Sequence, residues 1–332
     1  MDIIKKIAIL VSIFFLVFSV APAEAEDVHT FGRHSFTLSP LMGFLYGHAE
    51  EIVYSAPGSR QLLSELLWDL KPLLYVGLAA DFGPRDPFQE NGFIAAGSLK
   101  FGIPLRSGYH ENRDWMNPQH NWLTHFSRHD VYSQNAILLD ISAGYSWRLT
   151  DSLALSTFAE FSFMHFSWSG EGGFVQYPAP NLSPDFPPWS SDLPKRQLHG
   201  KVIRYSQNWF ILSPGISLTW KINERFSLGG NFSYTPLIFC IARDDHILRG
   251  ITFWDFVSFG HYINGGGTFV FSARDNLDIV FSLSYRHITG SRGRTYIQDS
   301  NGRTETVSDS AGAGFSAMNM GIAARIRLTG KN

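Results

Sequence analysis

Cysteine is almost absent: Cys240 is the one thiol in 332 residues. No intrachain disulfide can form, so the chain is not a disulfide-stapled secreted scaffold, and Cys240 reads as a small buried apolar residue. Charge is also scarce. Asp and Glu number 29 against 27 Lys and Arg, and the net charge of -2 excludes a broad basic footprint for nucleic acid. Beyond residue 25 there is no run of about 18 apolar residues, so no transmembrane helix is expected. No Gly-x-Ser-x-Gly elbow, phosphate-cradling glycine loop or His-Glu-x-x-His spacing occurs. Acyl-enzyme, nucleotide and tight-motif zinc chemistry therefore have no sequence support, and no cofactor or metal is expected.

At the start of the chain, Lys5-Lys6 precede an apolar run from Ile7 to Val20, then Ala23-Glu24-Ala25 and the acidic pair Glu26-Asp27. This is the layout of a secretory signal peptide, with cleavage expected after Ala25 and residues 26–332 forming a single domain. Aromatic residues make up 15% of the chain. Many of them fall in long runs with a period of two. From Ile137 to Leu149 the odd positions are Ile, Leu, Ile, Ala, Tyr, Trp and Leu, while the even positions are largely small or polar. The same alternation recurs from Phe226 to Thr235 and from Met318 to Leu328, which predicts strands with one greasy and one polar face.

Connections between these runs alternate in length. Short polar turns fall near 149–152, 221–225 and 274–276, with a longer one from Phe82 to Asn91. Five long connections are expected around 48–70, 105–134, 169–206, 243–260 and 289–313. Five long and four shorter connections join ten strands. An exported chain with such strands fits an all-β, ten-stranded antiparallel transmembrane β-barrel with five long outer loops and a polar-lined lumen, since closure pairs every backbone group in lipid. Tyr145, Trp147, Trp168 and Trp220 suit interfacial girdles or core packing, and Tyr177 to Pro194 reads as a proline-rich rim.

Two polar segments stand out against this frame. Asn112-Arg113-Asp114-Trp115-Met116 lies in the second long connection, and Asp244-Asp245-His246 leads from the seventh strand into the fourth. An Asp and a His two apart on an extended strand point to one side, where the carboxylate can orient the imidazole. Asp114, placed opposite, can hold a water for His246 to activate. Asp244, His246, His120, His125 and His129 supply metal-ligand types without a recognisable ligand spacing.

The run Met42-Gly43-Phe44-Leu45-Tyr46-Gly47-His48-Ala49-Glu50-Glu51-Ile52-Val53-Tyr54 resembles the first strand and loop of the omptin family of outer-membrane endopeptidases. So do Ser64-Glu65-Leu66-Leu67-Trp68, Asp114-Trp115-Met116, Ser127-Arg128-His129, Phe226 to Phe232 and Asp244-Asp245-His246, in family order. The resemblance implies a ten-stranded barrel projecting beyond the membrane. It also implies a peptide or protein substrate cut next to basic residues by water that an Asp-His dyad and an opposed Asp couple activate. By position, Asp244 and His246 match the dyad, Asp114 matches one member of the couple, and Glu51 matches an acid that recognises the basic side chain. Ser127 matches a family serine near the site that is not the nucleophile.

The chain departs from the family pattern at three places. Asn112 stands where the couple has its second Asp, Ala242 where an acid precedes the dyad, and His125 near a further acid. Glu111, Asp245 and Asp255 are the neighbouring acids available to compensate. Fewer carboxylates predict weaker selection for Arg or Lys. The family's lipopolysaccharide motif is not carried over, because Phe161 to Phe166 offers only His165 as a potential cation, although contact with outer-membrane lipid follows from the barrel. Two other readings stay open: a non-catalytic barrel whose outer loops bind ligands, favoured by Asn112 and Ala242, and a pore. In the latter, Asp140, Arg325 and Arg327 would line the lumen or plug it.

Overall fold

The computed structural model describes residues 34–55 and 61–328, so the export signal expected over residues 1–25 lies outside it. Ten long strands form a closed antiparallel ring. The first two are His34–Tyr54 and Leu62–Pro84, and the third runs through Gly92–Gly102 and Arg106–Asp114. The fourth, fifth and sixth are His125–Arg148, Leu153–Gln176 and Lys201–Lys221. The seventh, eighth and ninth are each interrupted once: Phe226–Thr235 and Ile238–His246, Ile251–Ser258 and His261–Arg274, Leu277–Thr289 and Arg292–Gln298. The tenth, Thr304–Leu328, pairs back onto the first from Phe36 opposite Leu328 to Val53 opposite Ala311. Ring closure leaves no sheet edge, which is what makes a strand architecture tolerable in lipid.

The first strand has 21 residues and the tenth 25, about twice the 9–11 that a tilted strand needs to cross a bilayer. Their halves nearer the short turns carry the expected greasy outer face, with Ile141, Tyr145, Trp147, Leu212, Ile216, Trp220, Phe281 and Met320 all exposed. Tyr46, Tyr234 and Tyr285 mark the upper edge of this band. Above it the outer wall turns polar. Arg113 pairs with Glu65 and Glu111, Arg106 with Asp130, and Arg243 with Asp245.

Much of what the sequence assigns to long outer connections is therefore paired strand continuing beyond the membrane. The fourth connection shortens to residues 247–250 and the fifth to 299–303. The third, 177–200, remains long and irregular. It is fastened as a rim by Asn117 Nδ2 and Trp122 Nε1 donating to Phe186 O at 2.9 and 3.0 Å, and by Gln176 Nε2 donating to Ser191 O and Leu193 O.

The interior departs from a simple polar lining. At membrane depth Asp140 accepts from Arg286 Nη2 at 2.9 Å, Lys100 Nζ at 3.2 Å and Ser162 Oγ at 2.8 Å, tying four strands together. Nearer the short turns, Arg327 pairs with Asp278. Above Arg286 the inward residues are large and apolar. Phe166 stacks on Phe315 and Trp168, Trp168 on Tyr205, and Tyr205 on Trp68, with centroids 5.0–5.9 Å apart. Trp168 is fully buried in this layer and is not a girdle residue, whereas Tyr145, Trp147 and Trp220 face outward. Hydrophobic burial explains the layer: the extramembrane half is surrounded by water where the lower half meets lipid, so its apolar side chains pack inward.

Ion-paired and aromatic layers together block the lumen, so the reconstituted barrel is predicted to give no steady conductance in planar bilayers; ohmic steps would contradict this. Asp140→Ala leaves Arg286 and Lys100 without their shared carboxylate and should destabilise the barrel by about 3–5 kcal/mol. The urea unfolding midpoint reads that loss.

Candidate active site

The extramembrane ends of the strands enclose a cleft of about 740 Å³, lined by Glu51, Asn112, Asp114, Asp244, His246 and Asp255, with His110 and His129 also in its wall. Strand alternation places these groups. In the seventh strand Ile238, Cys240, Ala242 and Asp244 point inward and are buried, whereas Phe239 and Arg243 point out. His246 follows on the same face, and its Nε2 lies 2.7 Å from Asp244 Oδ2. With the ring proton on Nε2, the Nδ1 lone pair is left as the acceptor; Arg249 Nη1 lies 3.3 Å from it.

Across the cleft, the third strand presents His110, Asn112 and Asp114 after a bulge at Gly108. Gly108 has φ +123°, and a Cβ there would fall 2.5 Å from Asp69 Cβ, so glycine is required at this bend. Asn112 Nδ2 donates to Asp114 Oδ2 at 3.3 Å. Ser64 Oγ, from the second strand, contacts Asn112 Oδ1 at 3.0 Å and also donates to Asp114 Oδ1. Burial pushes the Asp114 carboxyl up to about 6, opposed by these hydrogen bonds and by the nearby His246 and Arg249 charges. Asp244 is likewise raised by burial, and His246 opposes the shift.

The acids that were candidates for compensation separate cleanly. Glu111 faces the outer wall with Arg113 and Arg128, and Asp245 is held outside by Arg243 and Thr252. Asp255 enters the cleft. It sits on the eighth strand directly opposite Ala242 in the ladder. Thr295 Oγ1 donates to it at 2.7 Å, and burial with the Asp244 charge raises its carboxyl to about 7. Glu51 is 4% exposed and is raised well above the ordinary carboxylate range by burial, then by Asp244 and Asp255. Among the described residues, Glu51 Oε2 and Asp244 Oδ1 are buried without a hydrogen-bond partner.

Several cleft residues were not singled out as site groups from sequence: Ser64, Tyr177, Arg196, Arg249 and Thr295. Only Ser64 had a signal, its place in the strand segment that resembles omptins. His125 lines the cleft edge-on to Tyr177 and Phe186, at 4.9 and 4.8 Å, and burial lowers its basicity. His110 stacks on Trp68 at 4.1 Å, and burial with the neighbouring His129 keeps it neutral. Ser127 lines the cleft as the ladder partner of Asn112. Among the described residues no three His, Cys, Asp or Glu side chains converge as a metal-holding group.

The Omptin family profile matches residues 33–328 of this chain. No curated protein matches the sequence. Among solved structures, the outer membrane protease OmpT from Escherichia coli superposes with a TM-score of 0.79 at 18% identity, covering 91% of this chain and 99% of OmpT. The translocator domain of the autotransporter NalP from Neisseria meningitidis has a TM-score of 0.35 at 10% identity, covering 96% of both chains. The toluene transporter TodX from Pseudomonas putida has a TM-score of 0.32 at 8% identity, covering 88% of this chain and 89% of TodX. With the family profile spanning nearly the whole barrel, the chain belongs to the omptin family of outer-membrane proteases.

Proposed function

We propose that this chain, after removal of residues 1–25, is an active endopeptidase that hydrolyses peptide bonds with water activated by Asp244 and His246. The observation that carries the reading is the 2.7 Å contact between His246 Nε2 and Asp244 Oδ2, on the wall facing Asp114. In this reading His246 Nδ1 takes the proton from water, and the Asp244 carboxylate orients the ring and stabilises the imidazolium. Asp114 and Asn112 hold the water from the other side. Asn112 donates to Asp114, so one carboxylate acts as the acceptor where the family pattern has two acids sharing the task. Ser64 positions this pair, and neither it nor Ser127 forms a covalent intermediate.

Glu51 and Asp255 would receive the basic side chain of the substrate. Two buried carboxyls raised by burial, with Glu51 Oε2 unpartnered among the described residues, favour a cation, whose charge would draw both into their ionised form. Asp255 thus takes over what the position of Ala242 lost, and selection for Arg or Lys is retained by a different residue. The alternative, a binding barrel without chemistry, draws on Asn112. Against it stand the formed dyad contact and a water-holding carboxylate poised near pH 6.

His246→Ala and Asp244→Ala are each expected to lower kcat/KM on a basic fluorogenic peptide by roughly 10²–10⁴-fold; unchanged rates in folded variants would sink the assignment. The acid limb of the pH profile should rise through about 6 as Asp114 ionises, with a further gain through about 7 on basic peptides as Asp255 gains its charge. Asp255→Asn should remove the second rise and leave the first. Asn112→Asp adds a carboxyl beside Asp114, disfavours ionisation of the pair, and should move the first limb to higher pH.

A further inference from the structure

The two arginines of the cleft and the Glu51–Asp255 pair enter it from different elements. Glu51 and Asp255 lie on the first and eighth strands, with Thr295 and Ser310 on the neighbouring ninth and tenth; no lysine or arginine lines that part of the wall. Elsewhere in the wall lie His125 on the fourth strand, then Tyr177 and Arg196 on the rim after the fifth. Arg249, in the turn after the seventh, overhangs the dyad. Arg196 is held in place because Arg196–Gln197 forms a short strand paired with Phe174–Val175. Both arginines act electrostatically on Tyr177, and Arg249 also acts on Asp114 and Asp244.

Neither arginine has a carboxylate within salt-bridge distance among the described residues. On the outer wall Arg106, Arg113, Arg243 and Arg292 have acidic partners while Arg204 and Arg294 have none among the described residues; what sets Arg196 and Arg249 apart is that they are the arginines lining the cleft. The Arg249 guanidinium has one polar contact, its Nη1 with His246 Nδ1 at 3.3 Å. That contact occupies the lone pair that a proton from water would need. His125 carries no carboxylate to this side, and burial lowers its basicity.

From this arrangement we infer that the cleft binds an acidic substrate side chain on the Arg196–Arg249 side of the scissile bond, opposite the basic side chain at Glu51 and Asp255. The inference rests on the hydrolytic reading above and specifies its substrate: a basic residue followed or preceded across the cut bond by Asp or Glu. A carboxylate engages Arg249 through its planar fork, which draws the guanidinium off His246 Nδ1 and frees the base. Recognition and activation of the dyad are then the same event. A lysine in that position meets two unneutralised cations and leaves Arg249 on the base.

The test uses amidated internal peptides that differ only in having Glu, Gln or Lys across the cut bond from a fixed Arg. They are assayed with the folded mature chain and with the Arg196→Glu/Arg249→Glu double variant, folding being checked by far-UV circular dichroism. The wild-type kcat/KM ratio of Glu to Lys peptides should exceed about fivefold, as exposed pairs allow, shrink with added salt, and invert in the double variant. The same peptides are titrated by fluorescence anisotropy against the His246→Ala chain, which reads the subsite without turnover. Cleavage abolished by His246→Ala but indifferent to Glu or favouring Lys keeps the hydrolytic reading and overturns the acidic subsite. Glu-selective binding without any cleavage keeps the subsite and overturns hydrolysis. Equal binding of Glu and Lys peptides overturns the subsite whatever the cleavage result.

Discussion

Closure of the hydrogen-bond ladder between the first and tenth strands is the constraint on which everything else in this molecule depends. In lipid an unpaired strand edge costs several kcal/mol per exposed polar group, so the ring either closes completely or does not insert. Closure also fixes register all the way round. Because side chains alternate with a period of two, a slip of one residue in the third or seventh strand would turn Asp114 or His246 out to the polar wall. The facing of these residues across the cleft is thus a consequence of barrel geometry and needs no contribution from flexible loops.

Beneath the cleft, the stacked Trp68, Trp168, Tyr205, Phe166 and Phe315 set its electrostatics. They exclude water from the floor, and burial is the leading cause of the raised carboxyls at Glu51, Asp114, Asp244 and Asp255. A strongly desolvated carboxyl is a poor place for an unpaired negative charge and a good one for a charge completed by an arriving cation. The role proposed for Asp255, opposite Ala242, fits this logic. Burial and distance to the dyad matter, and the ladder offers two positions that satisfy both.

Strand number, orientation and the Asp244–His246 contact were legible in the sequence because each follows from period-two alternation or from residues two apart on one strand. The extent of the outer hairpins was not. Above the membrane the outward face turns polar while the inward face turns apolar, so the greasy-out pattern that marks a lipid-facing strand inverts around Trp168. Asp255 was visible only as a nearby acid, since its place opposite Ala242 depends on the four-residue turn 247–250. Arg196 and Arg249 carried no signal, because isolated arginines in loops are ordinary and only the ring brings these two to one cleft.

The central claim is that water held between Asp114 and His246 attacks the peptide bond directly, with no covalent role for Ser64 or Ser127. Cleavage of a basic peptide in ¹⁸O-enriched water containing hydroxylamine, followed by mass spectrometry of product and protein, tests it most directly. The account predicts a carboxylate product carrying one solvent oxygen, no hydroxamate and no acylated serine. A hydroxamate product, or an acyl adduct on Ser64 or Ser127, would contradict it.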